Sequence, residues 1–322
     1  MHKTLIIGIA GRGASWAKAV KANAAYELTG IADISADALA ARGEEFGVAP
    51  EQRHTDYRAA LASGGYDAAL VVVPHRFHYE VSRSVLEAGL HCLVEKPFTL
   101  NVAEAEELVA LAAQRQRVLQ VVQNYRFMPA CRFVEQFIRE QRLGRLSSVE
   151  GSFYRDRPPR DHEVNMPWPQ LFTQGIHHLD WLVAILPAPI VEVVSRHRKV
   201  PWSRWQNSPL SHVLMRCDDG VLVTYCASYV NHGDNSPYSG LWRFEFEKGD
   251  LILDRNDVVR QATENGAKVE EVFRPPAGAK SGDDWLLDTL HTAITDGVEP
   301  PTSGRNNLKT LRLLFDVIGE AK

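Results

Sequence analysis

Five short apolar runs, separated by segments with helical patterns, occupy the first 122 residues of the chain. These runs are Leu5–Ala10, Glu27–Asp33, Ala68–Val73, His91–Glu95 and Val118–Val122. Short, nearly continuous apolar runs are typical of strands buried on both faces of a parallel sheet. The alternation of such runs with helical patterns predicts an α/β fold with a doubly wound parallel sheet and right-handed crossovers.

The first run leads into Gly11-Arg12-Gly13-Ala14-Ser15-Trp16, which is the pattern G-x-G-x-x-G with Trp16 in place of the third glycine. The first two glycines of this pattern permit a tight turn and the close approach of a diphosphate to backbone N–H groups at a helix start. The third normally lets the helix pack close to the strand, so Trp16 predicts that the helix lies locally farther from the strand or is tilted against it. The candidate cofactor-binding residues of this loop are Gly11, Arg12, Gly13, Ala14 and Ser15.

The second run ends in Asp33, at the expected separation from the glycines. A carboxylate there can accept hydrogen bonds from the adenosine ribose diol and repels a 2′-phosphate. No basic residue follows until Arg42, so NAD is predicted in preference to NADP. Ile34 is assigned to the same site. The alternative is that Asp33 caps the helix Ala36–Phe46, a role for which Ser35 is also available.

The fourth run ends in Leu93-Val94-Glu95-Lys96-Pro97. Pro97 cannot donate to a strand ladder and disfavours helical geometry at Lys96, so the strand must stop here. Ligands of parallel sheets bind at the carboxyl ends of the strands, so the Lys96 ammonium is predicted to point at a ligand. The alternative is a solvated lysine without a role.

His75 and His78 follow the third run at a spacing that could bind a metal. No acid or cysteine joins them, so we predict no metal and assign them, with Val73 and Pro74, to cofactor contact or capping. The four cysteines form no C-x-x-C pair, which argues against a zinc site or a disulfide framework and favours a reducing compartment.

The whole chain has 322 residues and a formal net charge of −4. The length favours two domains, and the charge gives no reason to expect nucleic acid as a partner. No segment approaches the roughly 18 apolar residues that a membrane span requires. Glycines interrupt the first apolar run, so it is predicted to be a strand and not a signal peptide, and we expect a cytoplasmic protein.

The order of these features resembles the Gfo/Idh/MocA family, named after glucose–fructose oxidoreductase, inositol dehydrogenase and a rhizopine catabolism protein. The resemblance is carried by Gly11-x-Gly13, Asp33, Val73-Pro74-His75-x-x-His78, Leu86-x-Ala88-Gly89-x-His91, Glu95-Lys96-Pro97, Asn124-Tyr125-Arg126-Phe127-x-Pro129, Leu143-Gly144-Arg145-Leu146 and Gly175-Ile176-His177-His178-Leu179-Asp180. It implies an N-terminal Rossmann domain over residues 1–123 and a C-terminal α+β domain with a large, mostly antiparallel sheet over 124–322. It also implies a homo-oligomer, a dimer or a tetramer, formed through the C-terminal sheet.

The second half of the chain has strand patterns that agree with this layout. They are Ser147–Tyr154, Ile190–His197, Ser211–Cys217, Val221–Tyr229, Leu241–Glu247 and Asp250–Leu253. Hairpin-type turns separate neighbouring patterns at Asp218-Asp219-Gly220 and Lys248-Gly249-Asp250. Two helical patterns, Asp284–Asp296 and Asn306–Ile318, end the chain, and a return of the C-terminal helix to the first domain stays open.

The resemblance further implies an NAD-dependent oxidoreductase that acts on a secondary hydroxyl of a sugar, a cyclitol or a related polyol. By this resemblance, Lys96 is expected to orient the substrate hydroxyl and His177 to exchange the hydroxyl proton. The family usually has an Asp four residues before this histidine, where this chain has Thr173. Asp180, three residues after His177, could assist it; the alternative is that Asp180 is the partner of a basic residue.

Further residues of the site are assigned from the sequence. Glu95, Lys96 and Gln123 join the cofactor set, and Thr173 joins Lys96, His177 and Asp180 as a catalytic candidate. The candidate substrate-binding residues are Lys96, Tyr154, Asn165, Trp168, Thr173 and His177. Polar and aromatic groups that suit sugar hydroxyls also occur at Arg155–Arg157, Arg160–His162, Asn231–Asn235 and Tyr238. Two alternative functions stay open. One is an NAD-retaining lyase or glycosidase that uses transient oxidation; the other is a non-catalytic dinucleotide-binding regulator, which Lys96 and His177 argue against.

Overall fold

The computed structural model describes residues 1–160 and 163–319, and the chain forms two compact units. Unit 1 consists of Met1–Asn124 and Gly282–Leu311, and unit 2 consists of Tyr125–Ser281 and the chain from Arg312. The expected division was 1–123 and 124–322, with a return of the C-terminal helix to the first domain left open, and in the structure Gly282–Leu311 belongs to the first unit. Within the described residues, no helix is both long enough and apolar enough to cross a membrane.

Unit 1 contains a six-stranded sheet in which all neighbouring strands are parallel. Its strands are β1 (His2–Ile7), β2 (Tyr26–Ala32), β3 (Arg53–His54), β4 (Ala68–Val71), β5 (His91–Val94) and β6 (Leu119–Val121). Their order is β3-β2-β1-β4-β5-β6, which reverses direction between β1 and β4. The predicted doubly wound Rossmann sheet is therefore confirmed, and its ligand site is expected at that reversal.

Five helices of unit 1 connect these strands. They are α1 (Arg12–Ala22), α2 (Ala36–Phe46), α3 (Tyr57–Ser63), α4 (His78–Glu87) and α5 (Val102–Arg115). Ser35 caps α2, because its Oγ accepts a hydrogen bond from the amide of Ala38. Asn101 caps α5 as predicted, with Oδ1 2.9 Å from the amide of Glu104.

The first strand lies three residues earlier than the apolar run predicted. It ends at Ile7 because Gly8 has φ +92°, outside the range of a strand. A Cβ atom at Gly8 would lie 2.4 Å from the carbonyl oxygen of Val72, so only glycine fits there. The segment Ile9–Ala10 is consequently part of the turn into α1.

Unit 2 contains an eight-stranded, mostly antiparallel sheet in the order β14-β13-β12-β11-β7-β10-β9-β8. Its strands are β7 (Leu146–Tyr154), β8 (Ile190–Arg198), β9 (Leu210–Cys217), β10 (Leu222–Ser228), β11 (Leu241–Phe246), β12 (Gly249–Leu253), β13 (Val259–Thr263) and β14 (Lys268–Phe273). Only β7 and β10 pair in parallel. The sequence patterns predicted six of these strands and missed β13 and β14, which bury few apolar side chains.

One face of this sheet packs against helices α6 (Pro129–Arg139) and α7 (Ile176–Ile185). Trp181 of α7 meets Trp242 of β11 edge-on, with ring centroids 5.2 Å apart. Gly151 of β7 makes room for Trp242, because a Cβ atom there would lie 2.2 Å from the indole ring. Buried aromatic side chains thus fix α7 on the sheet.

The last two helices are α8 (Gly282–Asp296) and α9 (Gly304–Ile318). The carbonyl oxygen of Leu287 on α8 accepts a hydrogen bond from the Tyr26 hydroxyl at 2.6 Å. The Gln120 amide of β6 donates to Thr289 at 2.9 Å. The buried leucines of α8 complete the core of unit 1, which explains why this segment returns to it.

Candidate active site

The loop that joins β1 to α1 contains the two predicted glycines. Gly11 has φ +52°, and a Cβ atom built there would have no other atom within 4 Å. A Cβ atom at Gly13 would lie only 1.9 Å from the carbonyl oxygen of Gly8, so the turn requires glycine. The space beside Gly11 therefore lies at the N-terminus of α1, where backbone N–H groups and the helix dipole stabilise an anion.

Arg12 and Trp16, which distinguish this loop, both donate a hydrogen bond to Glu95. Arg12 Nε and Trp16 Nε1 lie 3.0 Å and 2.9 Å from Glu95 Oε1. The Arg12 guanidinium lies over the Trp16 ring and also binds Asp283 of α8 at 2.7 Å. Trp16 is fully buried, so its indole fixes α1 to the end of β5, one residue before Lys96. Glu95, assigned to the cofactor from the sequence, thus uses Oε1 for two protein side chains.

Lys96 follows β5 and joins Pro97 through a cis peptide bond. The buried ring of His78 lies between this turn and the end of β4. Its Nδ1 is 2.6 Å from the carbonyl oxygen of Pro97, and its Nε2 is 2.9 Å from that of Val73. Burial lowers the pKa of His78, against the effect of these two carbonyl groups. Both ring nitrogens of His78 therefore face carbonyl groups of the strand ends, and the neutral ring donates its single N–H to one of them. This agrees with the capping alternative, and a cofactor contact stays a prediction.

Gln123 lies just beyond β6, at the carboxyl edge of the sheet where β5 ends in Lys96. Its side chain is fully buried, and neither its amide nitrogen nor its amide oxygen has a hydrogen-bond partner among the described residues. An unsatisfied buried carboxamide is unfavourable by about 1–3 kcal/mol. A polar ligand at this edge would satisfy it, so this position fits a bound dinucleotide.

Asp33 lies directly after β2, with its carboxylate facing the first turn. Oδ2 accepts from the amide of Ala10 at 3.1 Å, and Oδ1 accepts from the amide of Ser35 at 3.0 Å. A carboxylate has about four acceptor positions, so two remain for a ribose diol. Ile34 beside it is 95% exposed and offers an apolar surface to an adenine ring.

The residues of unit 1 therefore fit NAD. The amides at Gly11–Ser15 would hold the diphosphate, Asp33 and Ile34 the adenosine, and the strand ends near Lys96 and Gln123 the nicotinamide half. Of the segment after β4, Val73 and His75 are partly buried and Pro74 is exposed. In the part of the chain that the structure describes, no group of three His, Cys, Asp or Glu residues could hold a metal ion.

In unit 2, His177 lies on α7 directly after a π-helical segment, Leu171–Gly175. Segments of this kind occur frequently at functional sites. The imidazole is 4% exposed and stacks on the ring of Tyr125, with centroids 4.1 Å apart and an interplanar angle of 9°. The Tyr125 hydroxyl is hydrogen-bonded to the Gln174 side chain. The plane of the imidazole is therefore fixed by a ring that is itself anchored.

Asp180 forms a buried ion pair with Arg126. Arg126 Nε lies 2.7 Å from Asp180 Oδ2, and its Nη2 donates to the Asp180 carbonyl oxygen at 3.0 Å. The two side chains are 10% and 2% exposed. The structure thus shows Asp180 as a partner of a basic residue, which is the alternative left open by the sequence, and the catalytic role stays a prediction.

Thr173, at the position where the family usually has an acid, uses its hydroxyl inside unit 2. Oγ1 donates to the carbonyl oxygen of Pro169 at 2.5 Å and lies 2.6 Å from the hydroxyl of Tyr229. Because the Thr173 proton goes to Pro169, the Tyr229 hydroxyl is the donor in the second contact. Burial raises the pKa of Tyr229, so it keeps its proton at neutral pH.

His178 is fully engaged by protein groups. Its Nδ1 lies 2.7 Å from the Tyr225 hydroxyl, and its Nε2 lies 2.9 Å from the carbonyl oxygen of Tyr238. A neutral ring that accepts at Nδ1 and donates at Nε2 satisfies both contacts. Burial lowers the pKa of His178 to about 4, which agrees with that neutral form.

The predicted substrate-binding residues before α7 differ in their exposure. Tyr154 and Trp168 are partly buried, whereas Asn165 is exposed and its carbonyl oxygen accepts from Asn207 at 3.0 Å. Trp168 has φ +40°, a strained conformation that is enriched at functional sites. Asp161 and His162, also assigned to this region, lie outside the described residues.

Comparison with known proteins identifies the family. The NAD-binding Rossmann-fold domain of the GFO_IDH_MocA oxidoreductase family matches residues 2–123, and the C-terminal domain of the same family matches 131–251. An uncharacterised oxidoreductase of Escherichia coli, YhhX, is 34% identical over 77% of this chain and 77% of its own length. The chain belongs to the Gfo/Idh/MocA family.

One further relative and one solved structure match a larger share of the chain than YhhX does. The D-apiose dehydrogenase of Paraburkholderia graminis is 24% identical over 89% of this chain and 79% of its own. The crystal structure of an Agrobacterium radiobacter oxidoreductase, in complex with NAD⁺, L-tartaric acid and magnesium, has a TM-score of 0.89. It covers 99% of this chain and 96% of its own at 20% identity, which shows the shared fold.

Several contacts of this Gfo/Idh/MocA member were not anticipated from its sequence. They are the pairing of Arg126 with Asp180, the stacking of Tyr125 on His177, and the binding of Arg12 and Trp16 to Glu95. Tyr125 and Arg126 belong to the Asn124–Pro129 motif that carried the family resemblance. That motif was the available signal, although its spacing does not reveal which residues it contacts.

Proposed function

We propose that this enzyme transfers hydride between NAD and a secondary hydroxyl of a sugar, a cyclitol or a related polyol. The observation that carries the proposal is the position of Lys96, at the carboxyl end of β5 in a sheet whose first turn fits a diphosphate. The activity named for the D-apiose dehydrogenase supports a sugar-like substrate. Family membership supports oxidoreductase chemistry.

Bound NAD supplies the hydride acceptor. In the proposed reaction the Lys96 ammonium donates a hydrogen bond to the substrate hydroxyl and stabilises the negative charge that develops on its oxygen. His177 takes the hydroxyl proton as general base and returns it in the reverse direction. Stacking on Tyr125 keeps the imidazole in one orientation, which favours proton transfer along a fixed line.

A second candidate is an NAD-retaining lyase or glycosidase that oxidises its substrate only transiently. It is favoured by one observation: Thr173 stands where the family usually has an acid, and its hydroxyl is bound to Pro169 and Tyr229. Net formation of NADH would support the dehydrogenase. Product formation without net NADH would support the second candidate, and cofactor binding without any product would support a regulator.

The test is a panel of sugars and polyols with NAD and with NADP, in which the reduced cofactor is followed by absorbance. We expect Lys96→Ala and His177→Asn to lose most turnover while NAD binding persists, because neither change removes a group assigned to the diphosphate or adenosine. Lys18→Ala, at an exposed lysine of α1, is the matched control. Normal turnover in Lys96→Ala would refute the role given to that ammonium.

We also propose a homo-oligomer formed through the open face of the unit 2 sheet, either a dimer or a tetramer. Val194 and Leu214 are neighbours in register, and each is nearly half exposed, as is Leu222 on β10. Adjacent exposed apolar side chains of this kind favour burial against a partner. Light scattering should show that Leu214→Asp dissociates the oligomer, while Val298→Asp in unit 1 leaves it intact.

The compartment that we propose is the cytoplasm. All four cysteines are free thiols, and Cys92, Cys131 and Cys217 are buried. A reducing environment suits a chain that keeps four thiols and forms no disulfide.

A further inference from the structure

The loops that follow β7 and β10 in unit 2 contain several carboxylates, and each one that the structure describes is paired with an arginine. The pairs are Asp156 with Arg204 at 2.6 Å, Glu163 with Arg157 at 2.8 Å, and Asp234 with Arg255 at 3.5 Å. These pairs neutralise their charges locally. Two further arginines of the same loops, Arg155 and Arg160, belong to none of them, and of these two Arg155 is partly buried whereas Arg160 is exposed.

Arg155 follows β7 directly, and its guanidinium lies 4.1 Å from the centroid of the Tyr238 ring. Nη2 donates to the carbonyl oxygen of Ser236 at 3.2 Å. Nε is buried and makes no hydrogen bond, and Nη1 makes none with a described residue. The Arg155 guanidinium is partly withdrawn from water and has N–H donors without acceptors, which is unfavourable. Binding of an anion here would supply both a counter-charge and acceptors.

Aromatic contacts connect this guanidinium to the proposed proton acceptor within unit 2. The Tyr238 ring meets the Tyr125 ring edge-on, with centroids 6.3 Å apart, and Tyr125 stacks on His177 at 4.1 Å. Tyr238 is 49% exposed, so this end of the aromatic row is accessible to a ligand. Arg155 and His177 therefore lie at opposite ends of one short aromatic row.

We propose that the substrate carries an anionic group, a carboxylate or a phosphate, which Arg155 binds while the reacting hydroxyl is at His177. This inference rests on the proposed function, because it describes the substrate of that reaction. A guanidinium offers a planar pair of donors that matches either oxyanion, and Tyr238 holds the guanidinium plane. The substrate class is then a hydroxy acid of the sugar series or a sugar phosphate.

The kinetic test measures NAD reduction with a neutral, a carboxylate and a phosphate form of one carbon skeleton. The first set is D-glucitol, D-gluconate and D-glucitol 6-phosphate, and other sugar skeletons follow in the same three forms. We expect the carboxylate or the phosphate form to have the highest kcat/KM. Arg155→Gln should lower that value by about 10- to 100-fold, since a charge-assisted hydrogen bond contributes about 1.5–3 kcal/mol and about 1.4 kcal/mol is tenfold. For the neutral form, kcat/KM of Arg155→Gln should stay within about threefold of the wild-type value.

Two further variants keep the result interpretable. Arg155→Lys preserves the charge and the stacking stem, so it should recover part of the preference for the anion even if Arg155→Gln is unstable. Arg204→Gln removes a neighbouring paired cation and should leave the preference unchanged. The inference would be overturned if the wild type preferred the neutral substrate. It would also be overturned if Arg155→Gln lowered kcat/KM equally for the neutral and anionic forms.

Calorimetric titration of the NAD-loaded protein with the same compounds separates the two proposals. If the dehydrogenase assignment is wrong, no NADH forms, yet the anionic compounds still bind the wild type more tightly than Arg155→Gln. If only the anion assignment is wrong, neutral polyols are oxidised and the anions bind both proteins equally. The rank of the carboxylate against the phosphate identifies which oxyanion the site takes.

Discussion

Replacing Arg126 by methionine tests the role that the structure gives to Asp180. The change keeps much of the side-chain length but removes the charge that is 2.7 Å from a carboxylate with 2% exposure. Removal of one partner from a buried ion pair destabilises a protein by about 3–5 kcal/mol, because a charge is left behind in a poorly solvated place. We therefore expect the free energy of unfolding of Arg126→Met to fall by about that amount.

The assay is urea unfolding followed by tryptophan fluorescence, for which Trp181, the neighbour of Asp180, is a suitable reporter. The full set is Arg126→Met, Asp180→Asn and the double variant. Because the double variant carries no uncompensated charge, its loss should be smaller than the sum of the two single losses. A loss below about 1 kcal/mol in Arg126→Met, or additive losses, would refute the reasoning. The Asp180 carboxylate would then be available for chemistry beside His177.

Three further predictions concern pH, the first turn and cofactor choice. His178 has a pKa of about 4 in the folded protein against 6.5 when unfolded. Between these two values the unfolded chain binds a proton at His178 that the folded protein does not bind. The contribution of His178 to the free energy of unfolding is therefore complete above pH 6.5 and is lost as the pH falls toward 4. The loss is about 2 kcal/mol between pH 7 and pH 5. In urea titrations at these two pH values, His178→Asn should show a smaller fall in the free energy of unfolding than the wild type. Trp16→Phe removes the hydrogen bond from the indole to Glu95, so we expect kcat to fall several-fold, with Trp202→Phe, at an exposed tryptophan, as a control without effect. Asp33→Ala should weaken the preference for NAD over NADP in steady-state assays, and an unchanged ratio would contradict the ribose assignment.

The fold was predictable where the sequence pattern is local. Five of the six strands of the parallel sheet correspond to compact apolar runs. The caps Ser35 and Asn101 lie within four residues of the amides they accept from. β13 and β14 were missed because their side chains remain largely accessible, so they lack the apolar alternation that reports a buried face. β3, with only two residues, is too short to give any pattern.

The site was predictable only in part, because its side chains are fixed by partners far along the chain. Arg126 and Asp180 are 54 residues apart, and Arg12 is 271 residues from Asp283. No spacing rule connects such pairs, because their proximity depends on the tertiary structure and not on local sequence. Motif spacing could therefore select Lys96 and His177 as candidates, but it could not distinguish a carboxylate held by arginine from one free to assist catalysis.

The return of Gly282–Leu311 to unit 1 has a consequence for synthesis on the ribosome. The first 124 residues emerge without α8, whose leucines complete their core, so the nucleotide-binding unit stays unfinished until α8 has been translated. A fragment that stops at Asn124 should consequently expose apolar surface and aggregate. A fragment in which a short linker joins Asn124 to Gly282 should recover a soluble, NAD-binding protein.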